Sequence, residues 1–235
     1  MKCLRLLTLL PLCALLSACL TGQQDPPFTL TLAHMNDTHS QFDPVNAELK
    51  GALFGNQGEI DTLYTRLGGY PRLLTMTKAY QAEALAKNQP LLLLHGGDAW
   101  QGSGYFKLNE GMANAELLSQ FGLDAMALGN HEFDLDNQKL ARFIQGVNFP
   151  VLAANLDSRD DPDLSRASNL KPFVIYAFDG NQKSPVTDLD HLPADKQLVA
   201  VIGLVLEDMA NISPNVGKLR FAKEVASAQA TVDLL

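Results

Sequence analysis

Asp37, His39, Asp98, Asn130 and His131 are the residues of this chain whose types and spacing could do chemistry. They fall in three short polar clusters, each following an apolar run that reads as a β-strand. Leu30 to His34 leads into Asn36, Asp37, Thr38 and His39. Leu91 to Leu94 leads into Gly96, Gly97 and Asp98, and Ala125 to Leu128 leads into Gly129, Asn130, His131, Glu132, Phe133 and Asp134. Carboxylate and amide oxygens together with imidazole nitrogens suit divalent cations, and the carboxyl ends of successive strands in an α/β sheet open on a common crevice. Two cations about 3.5–4 Å apart can hold a phosphate, lower the pKa of a bridging water and stabilise charge during an in-line displacement. The pattern is that of most of one half of a two-metal hydrolase site, with Asp98 as the candidate bridging ligand. Glycines at 96, 97 and 129 would let the backbone turn sharply and approach the cluster.

Taken singly, each cluster has a plainer reading. Asp-Thr-His can be a capped turn, Gly-Gly-Asp a hairpin-type turn, and Asn-His a helix N-cap before Leu135. Three of them at three strand ends favour one shared site. Other tempting residues read as structural. His34 and His95 sit within or at the end of strands, where burial or a backbone hydrogen bond is expected, Trp100 as packing near the site, and His191 as a surface histidine. Asp157, Asp160, Asp161 and Asp163 lack the glycine and terminal glutamate of a calcium loop and read as a solvated acidic loop. No P-loop motif is present to support nucleoside triphosphate chemistry.

The elements that must position these residues follow from periodicity. Phe28 to Met35 alternates as a strand, and Gln41 to Thr65 reads as an irregular, Gly-bearing connection. From Gly68 to Lys87 the pattern is helical, with Leu73, Leu74, Thr77 and Tyr80 at helix spacing and Pro71 early, where it is tolerated. Leu91 to His95 has the continuous apolar character of a strand covered on both faces. Helices are expected at Ala113–Phe121, Leu135–Gln145 and from Phe221 onward. Strands are expected at Asp124–Leu128, Pro150–Ala154, Lys171–Phe178 and Leu198–Leu206, with an acidic surface loop at Asp157–Asn169 and a polar insertion at Asp179–Gln197. This alternation implies a parallel or mixed α/β sheet with crossovers.

The chain has 235 residues, 46% of them hydrophobic, which suits one large domain with a sizeable core. Its formal charge is −8; setting aside Lys2 and Arg5 leaves 16 basic against 26 acidic residues, near −10. Binding to a nucleic acid polymer along a basic stripe is therefore not expected, and an anionic substrate would need local neutralisation, for which bound cations are the obvious source. Cys3, Cys13 and Cys19 are the three cysteines, so the body offers no disulfide, zinc-thiolate site or cysteine nucleophile. Lys2 and Arg5 precede an apolar stretch from Leu6 to Leu16, too short to span a bilayer core of about 30 Å, as in a removable export signal. The ending Leu16, Ser17, Ala18, Cys19 resembles the lipobox of bacterial lipoproteins, which implies cleavage before Cys19 and lipidation of that residue. An ordinary secretory peptide with an incidental cysteine is the alternative. Residues 1–18 are thus expected to be a lipoprotein signal peptide and 19–27 a tether to the membrane, placing the protein in the bacterial cell envelope, periplasmic or on the outer membrane. No protein partner can be inferred.

Asn36 to His39, Gly97 to Ser103 and the string Gly129, Asn130, His131, Glu132, Phe133, Asp134 resemble the signatures of the calcineurin-like metallophosphoesterases. More narrowly, they resemble the bacterial 5′-nucleotidase and UDP-sugar hydrolase branch, over about Phe28 to Leu206. The resemblance implies an α/β fold: a metallophosphoesterase-type β-sandwich flanked by helices in α-β-β-α layers, spanning 28–235 and incomplete at its C-terminus. It also implies Asp37 and His39 on a first metal, Asp98 bridging, and Asn130 on a second. Asn130 and His131 would be the substrate-binding residues, His131 contacting the substrate's phosphoryl oxygens and leaving group, with Asp134 orienting its imidazole. The activity implied is hydrolysis of nucleotide phosphate esters outside the cytoplasm through a two-metal-activated hydroxide. Zinc, manganese, magnesium, cobalt or iron would all suit the donors, the histidines favouring transition ions. The family pattern further includes two later histidine ligands and a C-terminal nucleotide-binding domain, which this sequence does not display. A shortened or non-catalytic metal- or nucleotide-binding paralogue is therefore one alternative, and a core acting on cyclic nucleotides, nucleotide sugars or sulfur esters is another.

Overall fold

The leucines at 91–94 form the strand around which the molecule is organised. In the computed structural model, which describes residues 27–51 and 61–235, alternate side chains of this strand enter two separate cores. Leu93 joins the larger core and Leu92 the smaller, with Leu94 packed against the latter. A strand buried on both faces has no solvent face to mark with polar residues, which explains the unbroken apolar run.

Along the chain the elements are β1 (Thr31–Met35), β2 (Val45–Gly51), β3 (Asp61–Leu67), α1 (Tyr70–Ala86), β4 (Leu91–His95), α2 (Gly104–Asn109), α3 (Met112–Leu118) and β5 (Ala125–Ala127). A 3₁₀ turn at His131–Phe133 precedes α4 (Asn137–Gly146), β6 (Val151–Leu152) and β7 (Leu156–Asp157). A second 3₁₀ turn at Leu164–Arg166 leads to β8 (Leu170–Lys171), β9 (Phe173–Asp179), β10 (Gln182–Pro185) and β11 (Gln197–Ile202). The chain closes with α5 (Met209–Ile212), β12 (Arg220–Phe221) and α6 (Glu224–Leu234).

β1, β4, β5, β6 and β8 make a five-stranded sheet in that order, every neighbouring pair parallel. On one face Tyr70 of α1, Ala115 and Leu118 of α3, and Leu140, Phe143 and Ile144 of α4 pack with Leu93, Met126 and Val151. On the other, Val174, Tyr176 and Phe178 of β9 meet Leu92, Ala125 and Leu152. β9 is the middle strand of an antiparallel sheet ordered β10, β9, β11. The fold is thus a mixed α/β sandwich of helices on a parallel sheet on an antiparallel sheet. α4 shows the local logic: the Asp136 side chain accepts a hydrogen bond from the Lys139 backbone N–H at 2.9 Å, and Leu140, Phe143 and Ile144 follow at helical spacing into the core.

Asp124 joins the two sheets. Its carboxylate accepts the Leu93 N–H at 2.7 Å and the Lys183 ammonium at 2.5 Å, while Lys183 also donates to the Leu91 carbonyl at 2.7 Å. The Tyr176 hydroxyl donates to the Asp124 carbonyl at 2.6 Å.

Several elements depart from the sequence expectation. The connection at 41–65 is not irregular: β2 and β3 form an antiparallel hairpin pairing Val45 with Leu67 and Leu49 with Leu63. Its alternation is weak because the apolar face is only half-buried, Val45, Leu63 and Leu67 all remaining exposed. β1 begins at Thr31 rather than Phe28, since the Thr31 N–H to Pro90 carbonyl bond opens the ladder and the Phe28 ring packs on Phe178 instead. α2 went unpredicted, and the polar insertion contains β10, whose pairing rests on backbone rather than on apolar side chains. In the acidic loop Asp161 is buried, accepting the Asp163 and Leu164 N–H groups and the Asn137 amide, so it caps a turn instead of facing solvent. The expected signal peptide, Cys19 and residues 19–26 of the tether lie outside the described residues. Among the described residues no helix is long and apolar enough to cross a membrane.

Lys183→Met, by stranding the buried Asp124 carboxylate, is expected to lower unfolding free energy by about 2–4 kcal/mol in urea denaturation. An unchanged midpoint would show that Asp124 is satisfied by Leu93 alone.

Candidate metal centre

Parallel register brings the three clusters together. Met35 pairs with His95 and His95 with Met126, so the ends of β1, β4 and β5 leave the sheet side by side. The exits of β1 and β4 then run on together: the Asp37 N–H donates to the Gly97 carbonyl at 3.0 Å, His39 to Asp98 at 3.0 Å and Ser40 to Ala99 at 2.8 Å. Asp37, His39, Ser40, Asp98 and Gln101 all have positive φ, between 43° and 74°, a region that non-glycine residues enter at a cost. Gly97 at φ 102° and Gly129 are required by space as well. A Cβ on Gly97 would lie 2.4 Å from the Gly129 nitrogen, and one on Gly129 would lie 2.1 Å from Asp98 Oδ1.

His39, Asp98 and His131 each present a ligand atom, and these atoms lie within 4.8 Å of one another. Asp37 is beside them, its Oδ1 3.6 Å from His39 Nε2. His39 Nδ1 bonds the Trp100 carbonyl at 3.0 Å, so Nδ1 carries the proton and Nε2 turns a lone pair toward the carboxylate. Two electron-rich atoms facing each other are what a cation between them would satisfy, and the second hydrogen bond of the imidazole fixes its tautomer for that role. The donor set therefore fits a divalent metal. The Asn36 amide donates to the Asp37 carboxylate and holds its pKa below the ordinary aspartate value, against a desolvation cost.

His131 is tied in twice. Its backbone N–H donates to Asp98 Oδ1 at 3.0 Å, and its Nδ1 bonds Asp134 Oδ2 at 2.8 Å, leaving Nε2 for the cleft. Burial disfavours its protonated form, but the Asp134 hydrogen bond and the charges of Asp134, Asp98 and Glu132 prevail and raise its pKa. The His39 and His131 rings meet edge to face, 5.0 Å between centroids. Asn130 lies between Gly129 and His131, both in contact with Asp98, and lines a cleft of about 300 Å³ with Gly96, Gly129, Leu204, Leu206 and Glu224. His191 is remote in character: exposed, and paired with Asp188 at 2.9 Å.

Glu132, Gln101, Ser213 and Asn215 contribute to the site through partners that no neighbouring residue signals. Glu132, wholly buried, accepts the N–H groups of Gly129 (2.7 Å), Asp98 (2.9 Å), Ala99 (2.7 Å) and Trp100 (3.2 Å). Burial pushes its carboxyl pKa up while these donors pull it down. Gln101 donates to Asp134 Oδ2 at 2.9 Å. Asn215 donates to the Asp134 carbonyl at 2.8 Å, and Ser213 to that of Phe133 at 2.7 Å. His95 is buried, with Nδ1 accepting the Gly97 N–H at 3.1 Å and Nε2 bonded to Thr38 Oγ1 at 3.1 Å. Burial drives its pKa down to about 4 despite the opposing charge of Asp37. Trp100 is fully buried against Phe106 and Phe143.

The calcineurin-like phosphoesterase family model matches residues 30–205. A 5′-nucleotidase of Diplobatis ommata is 30% identical over 89% of this chain and 31% of its own length. The NAD 5′-nucleotidase of Haemophilus influenzae is 30% identical over 88% of this chain and 30% of its own. The crystal structure of a 5′-nucleotidase precursor from Thermus thermophilus superposes with a TM-score of 0.69 at 33% identity, covering 88% of this chain and 34% of that one. The chain thus spans about a third of the length of these relatives.

Glu132→Gln retains one acceptor oxygen for four N–H donors, and is expected to cost about 2–4 kcal/mol in chemical denaturation; a neutral effect would mean that the loops hold without it. For His95 the folded pKa lies below the unfolded value of about 6.5, so the unfolded chain takes up the proton first. Its contribution to stability is present in full above about pH 6.5 and lost as the pH falls toward about 4, amounting to about 3 kcal/mol. Stability measured across that window should fall more steeply for the parent than for His95→Gln, and parallel curves would refute the assignment.

Proposed function

The chain belongs to the calcineurin-like phosphoesterase family, and we propose that it hydrolyses phosphate esters of nucleotides as an exported, metal-dependent enzyme of the 5′-nucleotidase kind. The observation that carries this reading is the convergence of His39, Asp98 and His131 from three strand ends on one point, with Asp37 alongside. The relatives' names, 5′-nucleotidase and NAD 5′-nucleotidase, support nucleotides as the substrate class. The leader, with its Leu-Ser-Ala-Cys ending, supports export and a lipid anchor at Cys19.

In this reading Asp37 and His39 would hold one divalent ion and Asn130 a second, with Asp98 available to both. Such ions, when bound, supply Lewis-acid polarisation of the phosphoryl group and activation of water. The remaining work falls to the chain itself. His131 keeps Nδ1–H on Asp134, so Nε2 is the atom offered to the phosphoryl and leaving-group oxygens, where it can hold or release a proton. Gln101, donating to the same Asp134 oxygen, fixes the carboxylate that orients the ring. The acidic body repels a free phosphate ester, so substrate is drawn in only where cations offset the carboxylates.

Protein expressed from the complete reading frame, supplied with Mn²⁺, should hydrolyse a nucleoside monophosphate, and a chelator should abolish the reaction. Asp98→Ala and His131→Ala should each reduce kcat/KM by about 100- to 10,000-fold. Parental rates in both variants would eliminate this site, binding without turnover would favour a non-catalytic paralogue, and preference for a cyclic nucleotide, nucleotide sugar or sulfur ester in a substrate panel would move the substrate class.

A further inference from the structure

Beneath the candidate metal centre lies a second set of polar side chains, all of them buried: Thr38, Ser40, Tyr70, His95 and Asn114. Tyr70 also packs its ring in the larger core, which is apolar around them. They come from four different segments: the β1 exit, the start of α1, the end of β4, and α3. Burying five polar groups is costly unless each finds a partner. They find one another. Thr38 Oγ1 shares a hydrogen bond with the Tyr70 hydroxyl at 3.0 Å and bonds His95 Nε2 at 3.1 Å. The Asn114 amide donates to Tyr70 at 3.3 Å and to the Ala99 carbonyl at 2.7 Å, and its oxygen accepts from Ser40 at 3.1 Å. His95 closes the circuit by accepting the Gly97 N–H.

The placement of Thr38 is the telling point. It sits between Asp37 and His39, both at positive φ, and its hydroxyl meets both Tyr70 and His95, while Ser40 of the same loop reaches Asn114. On the opposite loop, Gly97 and Ala99 flank Asp98, also at positive φ, and both are held by their backbone. The same network therefore grips each strained loop next to its candidate ligands. We propose that Thr38, Tyr70, His95 and Asn114 are positioning residues, a buried hydrogen-bond circuit that locks the loops 36–40 and 96–100 into one cradle and thereby sets the metal affinity of Asp37, His39 and Asp98. This rests on the reading of that cluster as a metal centre.

Four substitutions on the full chain, Thr38→Val, Thr38→Ser, Tyr70→Phe and Tyr176→Phe, separate positioning from bulk stability. Thr38→Val keeps the shape and removes the hydroxyl, Thr38→Ser keeps the hydroxyl, and Tyr176→Phe removes a buried hydrogen bond in the other core, away from the circuit. Titration with Mn²⁺ alone should show binding about 10- to 100-fold weaker in Thr38→Val, near the parent value in Thr38→Ser, and unchanged in Tyr176→Phe. Metal-free amide exchange should quicken in both loops in Thr38→Val and Tyr70→Phe, with α4 unaffected. Parental Mn²⁺ affinity in Thr38→Val, or equal losses in Thr38→Ser and Tyr176→Phe, would overturn the proposal. A parent protein that takes up no Mn²⁺ would instead refute the metal-centre reading; exchange then decides the cradle, and undisturbed loops in Thr38→Val would overturn it too.

Discussion

The Glu132 carboxylate is the interaction on which the site depends. It lies wholly inside the protein, where an isolated charge would be prohibitive, and is tolerated because four backbone N–H groups converge on its two oxygens. Three of those donors belong to the loop after β4 and one to the loop after β5. One side chain thereby fastens the loop that carries Asp98 to the loop that carries Asn130 and His131. Remove the acceptor and the cost is double: unsatisfied amides in the interior, and a bridging ligand free to leave its neighbours.

That fastening is needed because the loops are strained. Asp37, His39, Asp98 and Gln101 all sit at positive φ, and each such residue costs of order 1 kcal/mol or more unless its surroundings impose the conformation. The surroundings do so here. The β1 and β4 exits are zipped by three backbone hydrogen bonds, Gly97 and Gly129 touch where no Cβ would fit, and the circuit around Thr38 and His95 holds both loops from below. Stiffness in the floor makes strain in the ligand loops sustainable. The floor in turn is stiff because β4 and β5 are buried on both faces, with Asp124 and Lys183 joining the second sheet to the first.

Much of this was legible in the sequence. The unbroken leucines of β4, the Pro71-led helix and the alternation of strands and helices point to a covered, parallel or mixed sheet, because period and burial are properties of neighbouring residues. The three Asp, His and Asn clusters were equally visible, since each is contiguous. The hairpin of β2 and β3 was not, because its two halves are separated by a long connection and its apolar face is only half-covered. Nor was Asp161, whose burial follows from Asn137 and a turn folded over it, not from its acidic neighbours. Glu132 stood in plain view inside a specific string, yet nothing beside it reveals that its oxygens collect amides from positions 98 to 100.

The sequence by itself determined which residue types stand at the strand ends, and how the strands and helices alternate, because local periodicity and composition are written in adjacent residues. Only the tertiary structure decided that β1, β4 and β5 are neighbours, and that His39, Asp98 and His131 meet within 4.8 Å. It alone turned Thr38, Tyr70, His95 and Asn114 into one circuit. The physical reason is that strand order, register and the satisfaction of buried polar groups depend on pairings between segments tens of residues apart. Such pairings are selected by the free energy of the whole fold and leave little trace in any short stretch of chain.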